Sequence, residues 1–248
     1  MRLDGKKAIV TGASRGLGRA IALAFAREGA DVLVNYATRE AQAQEVASAI
    51  REMGRNAILC QADVSDTTQI RRMVEAAVTG LGRVDILVNN AGITLPKGPL
   101  ETTEAEWEKV LRTDLTGVFL CCQAVIPGMI AQGGGRIINI SSTAAQTGTL
   151  SGPAYCAAKA GVIGLTKCLA NAFARQNILV NAIAPALIDT EILYWRTPEQ
   201  WKETLESIPL KRLGDPNDLA EAAVLLASSG GNFMTGATID INGGLRMD

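Results

Sequence analysis

The sequence predicts an α/β protein in which helices cover both faces of a parallel, doubly wound sheet of seven strands. Short apolar runs rich in Val and Ile alternate along the chain with longer segments whose apolar residues recur at helical spacing. This alternation is typical of βαβ units, whose right-handed crossovers place helices on both faces of the sheet. The 248 residues suffice for one domain spanning 1–248, and they leave no room for a separate substrate domain.

The predicted strands follow one another at the spacing that βαβ units require. They are Ala8–Thr11, Val32–Asn35, Ala57–Gln61, Ile86–Asn89, Arg136–Ile140, Leu179–Ala184 and Thr238–Ile241. Gly29 and Gly54 follow helical runs and are predicted to end them, because glycine readily adopts the left-handed conformation found after a helix. Asp215 and Pro216 predict a helix start, with an N-capping carboxylate before a proline in the first turn. Ligands of such a fold bind at the carboxyl ends of the strands.

Charge and composition argue against several classes of partner. Lys plus Arg number 24 and Asp plus Glu 25, with no run of like charge, so we expect neither a nucleic acid nor a membrane surface as partner. No stretch approaches the roughly 20 apolar residues of a membrane span. The five cysteines are an odd number without a CxxC pair, which favours reduced thiols in a cytoplasmic protein over disulfides or a metal site. Because the chain has no histidine, proton transfer must use Tyr, Lys, Asp, Glu or Cys.

A glycine-rich turn lies between the first predicted strand and an apolar helix. It reads Thr11-Gly12-Ala13-Ser14-Arg15-Gly16-Leu17-Gly18. Glycines here let the backbone approach a pyrophosphate, and the helix that follows offers unpaired N–H groups and the positive end of its dipole. The turn predicts a dinucleotide site, and the alternative is a glycine-rich turn without a ligand.

The residues after the second strand bear on which dinucleotide binds. A carboxylate there would bind a ribose 2′-hydroxyl, but residues 35–39 contain no acid. Arg15 and Arg39 are placed to meet a 2′-phosphate, with Thr38 as a supporting donor, so NADP(H) is favoured over NAD(H). The alternative is that both arginines are simply solvated.

Three residues in the middle of the chain have the chemistry of a proton-transfer site. Tyr155 and Lys159 are four residues apart in a predicted helix over 154–174 and therefore share one face. An ammonium beside a phenol stabilises the phenolate, which suits the phenol to acid/base catalysis. Ser142, at the end of the fifth strand, is placed to hydrogen-bond a substrate oxygen. A Tyr-x3-Lys pair alone is weak evidence, because it also occurs by chance on helix surfaces.

Several motifs in order make the sequence resemble the short-chain dehydrogenase/reductase family over essentially all of its length. They are the glycine-rich turn, Asp63-Val64 after the third strand, Asn89-Asn90-Ala91-Gly92 after the fourth, the Ser142 region, and Tyr155-Cys-Ala-Ala-Lys159. The resemblance implies a Rossmann fold, a Ser-Tyr-Lys reaction centre and hydride exchange between NAD(P)(H) and a carbonyl or alcohol. It implies that Lys159 also bonds the nicotinamide ribose, that Asp63 contacts adenine and that Asn90 lines the cofactor groove.

The full cofactor set expected from the residues and the resemblance spans the carboxyl edge of the sheet. It comprises Gly12, Ser14, Arg15, Gly16, Leu17, Gly18, Tyr36, Thr38, Arg39, Asp63, Val64, Asn90, Ala91, Gly92, Tyr155, Lys159, Pro185, Ile188 and Thr190. Without the resemblance, Asp63 is equally well interpreted as a helix cap and Asn89–Gly92 as a turn.

Two positions depart from the family pattern. Asp114 stands where the family usually has an asparagine that completes a proton relay, and a carboxylate accepts hydrogen bonds but does not donate them as an amide does. We expect Asp114 to serve in the catalytic centre with a changed pH dependence. Ala186 replaces the usual glycine after the sixth strand, and it adds a β-carbon on the expected nicotinamide side.

The substrate prediction rests mainly on the resemblance, which is greatest to 3-oxoacyl-(acyl-carrier-protein) reductases. An acyl carrier protein is acidic, and Arg175 is the single cation at the helix ends where a carrier would bind. Tyr194, Trp195 and Trp201 lie in an expected substrate lid at about 187–212, and the first two are expected, with Ser142 and Tyr155, to contact substrate. These aromatic rings would suit a free apolar or aromatic ketone better than a carrier-bound substrate. The alternative is that the rings only pack within the lid or in a contact between subunits.

Two further classes of function stay open. A nucleotide-sensing protein without catalysis would not need Ser142, Tyr155 and Lys159 together, and nucleotide-sugar epimerases usually have a longer chain. The resemblance also implies a homotetramer formed through the helices after strands four and five. The small residues of the Tyr155 helix permit close helix approach, although they equally suit packing on the sheet.

Overall fold

The computed structural model describes residues 1–148, 151–191 and 197–247. Its strands form one parallel sheet in the order β3-β2-β1-β4-β5-β6-β7. They are β1 Lys7–Val10, β2 Asp31–Tyr36, β3 Ala57–Gln61, β4 Ile86–Asn89, β5 Gly135–Ile140, β6 Ile178–Pro185 and β7 Thr238–Ile241. The predicted seven-stranded parallel sheet is confirmed, with strand ends that differ from the prediction by one residue at most.

Helices cover both faces of the sheet and enclose two apolar cores. The helices are α1 Gly16–Arg27, α2 Glu40–Glu52, α3 Thr67–Leu81, α4 Glu104–Leu111, α5 Gly117–Ala131, α6 Ala144–Thr147, α7 Pro153–Phe173, α8 Pro198–Ser207 and α9 Pro216–Ala227, with a π-helical turn Arg112–Thr116 between α4 and α5. One core packs α1, α2 and α9 on the sheet, and the other packs α3, α5 and α7. This arrangement is the three-layer, doubly wound fold that the alternating sequence pattern predicts.

The predicted helix ends agree with the structure. Gly29 and Gly54 have positive φ angles of 99° and 74° just after α1 and α2. Asp215 caps α9 in a reciprocal capping box with Asp218, and Pro216 occupies the first turn. The cap of α3 is Asp66, whose carboxylate accepts from Thr68 N and Gln69 N, so interpreting Asp63 as that helix cap is wrong.

One helical stretch among the described residues, 104–131, is long and apolar enough to cross a membrane by length and composition alone. The expectation from the sequence that no stretch is long and apolar enough for a membrane span is therefore wrong for this stretch. Its second half is α5, whose side chains Val118, Cys121, Val125 and Met129 are buried in the core shared with α3 and α7. Their burial matches the packing of a core helix on a sheet.

Candidate active site

The carboxyl ends of the strands open into a cavity of about 680 Å³. It is lined by the glycine-rich turn, the ends of β2 to β6 and the start of α7. The strand order reverses between β1 and β4, and such a reversal creates a crevice in which ligands of doubly wound sheets bind. One continuous cavity therefore brings the expected dinucleotide residues and the expected proton-transfer residues together.

The glycine-rich turn is shaped for close backbone approach. Gly12 and Gly16 have positive φ angles of 62° and 53°. A β-carbon at Gly18 would lie 2.3 Å from the Gly12 carbonyl oxygen, which no side chain tolerates. Among the described residues no side chain caps the start of α1, and its first residues, Gly16 and Leu17, line the cavity. Uncapped N–H groups at a helix start are available to an anion. These features fit the phosphates of a dinucleotide.

Two asparagines hold this turn against the sheet. Asn90 donates from Nδ2 to the carbonyl oxygens of Thr11 (2.9 Å) and Gly12 (3.1 Å). Asn35 accepts from Gly12 N at 3.1 Å and donates to the carbonyl oxygens of Cys60 (3.2 Å) and Ala62 (2.9 Å). Sequence reasoning missed Asn35, although an amide at the end of an otherwise apolar strand was the available signal.

The other end of the cavity lies beside β2 and β3. Tyr36, Thr38, Arg39, Asp63 and Val64 all line it. Asp63 is exposed and accepts from Ser65 N at 2.8 Å, which leaves its carboxylate at the cavity wall. Burial and the neighbouring Glu40 carboxylate raise the pKa of Tyr36.

Arg15 has a partner that the sequence does not suggest. Its Nη1 lies 2.6 Å from Oε2 of Glu191, the last described residue before residues 192–196. The segment leading to Glu191 also crosses the glycine-rich turn, because a β-carbon at Gly16 would lie 3.6 Å from the Thr190 side chain. Pro185, Ala186, Ile188 and Thr190 line the cavity on this side.

Lys159 is the buried cation of the site. Its Nζ donates to the carbonyl oxygen of Ile140 at 3.1 Å, lies 3.3 Å from Asp114 Oδ2 and stands 5.5 Å from the centroid of the Tyr155 ring. Burial alone would lower the pKa of Lys159, but Asp114 and Tyr155 more than offset burial and raise that pKa. The helix therefore presents an ammonium beside a half-buried phenol, as the four-residue spacing predicts.

Asp114 is fully buried in the π-helical turn, a local widening of the helix that often marks a functional site. Its Oδ1 accepts from Ile93 N at 2.8 Å, while Oδ2 faces Lys159 without a well-aligned hydrogen bond. Burial raises the pKa of Asp114, against the opposing effects of Lys159 and the Ile93 N–H. Gly92 permits this packing, because a β-carbon there would lie 2.7 Å from Asp114 Oδ2.

Two adjacent serines at the end of β5 have different roles in the geometry. Ser142 is partly exposed in the cavity and its Oγ accepts from Ala144 N at 3.1 Å. Ser141 is buried and donates from Oγ to the carbonyl oxygen of Lys159 at 2.8 Å. The end of β5 thus holds α7 at the residue that carries the ammonium, a contact that sequence reasoning did not find.

The expected substrate residues are only partly visible. Ser142 and Tyr155 line the cavity, whereas Tyr194 and Trp195 lie outside the described residues. Leu187, in the expected lid, also lines the cavity. The cavity wall further includes residues that sequence reasoning missed, because they come from loops without a motif: Thr94, Pro96, Ser151 and Leu245.

Comparison with known proteins agrees with this geometry. A family model described as enoyl-(acyl carrier protein) reductase matches residues 12–246. The 3-oxoacyl-(acyl-carrier-protein) reductase of Staphylococcus epidermidis is 43% identical over 242 residues, which cover 98% of this chain and 99% of that protein. The chain belongs to the short-chain dehydrogenase/reductase family. The enzyme of the same name from Vibrio cholerae is 41% identical over 247 residues, and the alignment covers 100% of this chain and 100% of that protein.

Two solved structures share the fold over nearly the whole chain. A putative short-chain alcohol dehydrogenase from Sinorhizobium meliloti has a TM-score of 0.94 and 38% identity, covering 98% of this chain and 97% of that chain. A 7α-hydroxysteroid dehydrogenase complexed with NADH and 7-oxo glycochenodeoxycholic acid has the same TM-score and 36% identity, covering 98% and 95%. The predicted family membership and Rossmann fold are confirmed, and this chain is an NAD(P)-dependent oxidoreductase.

Proposed function

We propose that this enzyme reduces a 3-oxoacyl thioester, carried by an acyl carrier protein, to the 3-hydroxyacyl thioester at the expense of NADPH. The observation that carries the reaction class is the cluster of Ser142, Tyr155 and Lys159 at one end of a groove built for a dinucleotide. The substrate class is supported by relatives named for this activity that are 41–43% identical over nearly the whole chain.

The residues divide the chemistry among themselves. When bound, the nicotinamide supplies the hydride that reduces the ketone carbon. Tyr155 donates a proton to the oxygen on which negative charge develops, and Ser142 hydrogen-bonds the same oxygen. Lys159, held by Ile140 and Asp114, keeps a positive charge 5.5 Å from the phenol ring, which stabilises the phenolate left behind. Asp114 supports catalysis by keeping Lys159 charged.

The preference for NADP(H) is proposed from the cavity walls beside β2. Arg15, Thr38 and Arg39 line this part of the cavity and are able to bind a 2′-phosphate. Residues 35–39 offer no carboxylate for a ribose 2′-hydroxyl. A guanidinium binds phosphate through two parallel hydrogen bonds, which favours a phosphorylated ribose here.

A lid over residues 187–212 within a single domain is part of the proposal. Ile188 and Gly214 form an isolated parallel bridge, and Asp189 N donates to the Gly214 carbonyl oxygen at 2.9 Å. These contacts tie the beginning of the segment to a residue just after its end, which supports a flap anchored at its base. A cytoplasmic homotetramer is proposed from the family resemblance.

A second candidate is the reduction of a free apolar or aromatic ketone. The hydroxysteroid dehydrogenase with a TM-score of 0.94 shows that this fold accommodates a bulky free ketone. Arg175, just after α7, is an exposed cation. The end of α5 nearby carries no cation, since its last residues are Ala131 and Gln132. An acidic carrier finds little positive charge at these two helix ends.

The deciding experiment measures initial rates of NADPH and NADH oxidation with an acetoacetyl thioester beside a panel of free apolar and aromatic ketones. We expect NADPH-dependent reduction of the thioester. Turnover of free ketones alone would overturn the thioester proposal in favour of the second candidate. Tyr155→Phe should lower kcat by about 10²- to 10⁴-fold, the usual contribution of a positioned general acid. The variant should still bind NADPH, and undiminished turnover would exclude Tyr155 as the acid.

A further inference from the structure

Glu191 is the feature of the cavity that the reaction does not use. Its carboxylate lies 2.6 Å from Arg15 Nη1, and both side chains are roughly half exposed. The pair joins the glycine-rich turn to the beginning of the proposed lid, two segments that are 176 residues apart in sequence.

The position of this pair places it across the cofactor groove. Glu191 and Arg15 both line the cavity, and the preceding Thr190 lies over Gly16. Of the other acids that line the described part of the cavity, Asp63 accepts from Ser65 N and Asp114 is buried beside Lys159. The cations there besides Arg15 are Arg39, Lys109, Arg112 and Lys159. Glu191 is thus the carboxylate in contact with a guanidinium that the proposed function assigns to the 2′-phosphate.

We propose that Glu191 is a cofactor-selectivity residue that competes with the 2′-phosphate of NADPH for Arg15. The inference rests on the proposed use of NADP(H). In the structure the Glu191 carboxylate pairs with the Arg15 guanidinium. A 2′-phosphate must displace the carboxylate before it binds Arg15, whereas NADH has no such group and leaves the ion pair in place.

The direction and size of the effect follow from the two partners of Arg15. A phosphate carries more charge than a carboxylate and accepts a bidentate pair of hydrogen bonds. The 2′-phosphate therefore displaces the Glu191 carboxylate from the Arg15 guanidinium. The exposed ion pair that it replaces is weak, and its loss lowers NADPH affinity by only a few-fold. Glu191→Gln keeps the shape of the side chain and removes its charge. The variant should therefore bind NADPH about two- to five-fold more tightly and bind NADH unchanged.

The test is a double-mutant cycle on dissociation constants, measured by the fluorescence of NADPH and NADH on wild type, Glu191→Gln, Arg15→Gln and the double variant. We expect Glu191→Gln to lower the dissociation constant of NADPH and not that of NADH. This gain in NADPH affinity should vanish when Arg15 is already glutamine. Glu45→Gln, an exposed acid on α2 that does not line the cavity, is the matched control and should leave both constants unchanged. High salt should reduce the gain, since it screens exposed charges.

The other outcomes separate this inference from the proposal beneath it. If Glu191→Gln binds NADH and NADPH more tightly by the same factor, the Glu191 carboxylate repels the dinucleotide in general. If the variant binds both more weakly, the ion pair of Arg15 and Glu191 holds the lid in place. Either result overturns the competition. If Arg15→Gln weakens NADPH while Glu191→Gln changes nothing, only the role of Glu191 fails. If Arg15→Gln leaves NADPH binding intact, the proposed phosphate site itself fails.

Discussion

The buried pair of Asp114 and Lys159 is the residue-scale feature from which we expect a pH dependence of the reaction. The two side chains are 0% and 4% exposed and lie 3.3 Å apart, so water screens their interaction little. Burial opposes the charge of Lys159, and Asp114 is the largest effect that restores it. The ammonium that the mechanism needs therefore depends on a carboxylate at a position where the family resemblance implies an amide.

Asp114→Asn should move the alkaline limb of the activity profile to lower pH. The pKa of Lys159 is raised by the Asp114 charge, so the amide variant loses the ammonium at a lower pH than wild type. The pH dependence of kcat/KM for ketone reduction measures this directly. Asp85→Asn is the control, because Asp85 lies at the amino ends of the strands, away from the site. This variant should leave the pH profile unchanged. An unshifted alkaline limb in Asp114→Asn would show that Asp114 does not sustain the charge of Lys159.

The sequence predicts residues of this site where local spacing determines geometry. Tyr155 and Lys159 share a helix face because they are one turn apart, and the glycine-rich turn is recognisable from the strand and helix on either side. Asn35, Ser141 and Glu191 were missed because their partners come from distant parts of the chain. Such contacts depend on tertiary packing, which no short motif records.

At the scale of elements, two further buried hydrogen bonds join α7 to β5 and to Ser141 directly after it, besides the bond from Lys159 Nζ to the Ile140 carbonyl oxygen. Ser141 Oγ donates to the Lys159 carbonyl oxygen, and two helical turns further on Asn139 Nδ2 donates to Thr166 Oγ1 at 2.9 Å. The first bond lies beside the catalytic cluster and the second lies deep in the sheet, where Asn139 also accepts from Asn89. The first bond therefore sets the rotation of α7 at the ammonium, and the second contributes to stability.

Ser141→Ala should lower kcat by about ten-fold, because a shift of about 1 Å in a catalytic group reduces the rate by up to about 10²-fold. Thr166→Val is the matched control, since it removes the bond by which Asn139 holds the same helix further from the site. It leaves Asn139 Nδ2 unpaired and should lower the free energy of unfolding by about 1–3 kcal/mol while kcat stays within about two-fold. Steady-state kinetics and thermal unfolding of both variants distinguish the roles. An equal loss of kcat in the two variants would mean that Ser141 acts only through stability.

Prediction of the elements succeeded wherever periodicity and capping chemistry agree. Seven strands and the ends marked by Gly29, Gly54 and Asp215 follow from apolar runs with breakers between them. The π-helical turn that carries Asp114 has no such signal, since its residues continue the helical pattern of α4 into α5. The turn buries Asp114 in contact with Ile93 N and Lys159, and these contacts become visible only in three dimensions.

At the scale of the whole molecule, the face formed by α5 and α7 is the surface through which we propose that the tetramer assembles. Phe119 on α5 is 41% exposed and Ile130 is 44% exposed. On α7 the exposed positions Ala160, Gly164 and Cys168 recur every four residues, so they form one small-sided ridge that permits close helix approach. Other small residues of α7, including Ala158 and Ala170, are buried toward the sheet, so packing on the sheet leaves the ridge of Ala160, Gly164 and Cys168 exposed.

Gly164→Arg tests the proposed tetramer without disturbing the fold of the single chain. A β-carbon at Gly164 meets no atom within 4 Å, and replacing a helical glycine favours the helix by up to about 1 kcal/mol. A large charged side chain in a close helix contact should nevertheless block assembly. Light scattering after size-exclusion chromatography should give four chain masses for wild type and fewer for Gly164→Arg, with unchanged circular dichroism. Gln44→Arg, exposed on α2 at the opposite face of the sheet, should remain tetrameric. A Gly164→Arg variant that still assembles into tetramers would place the interface elsewhere.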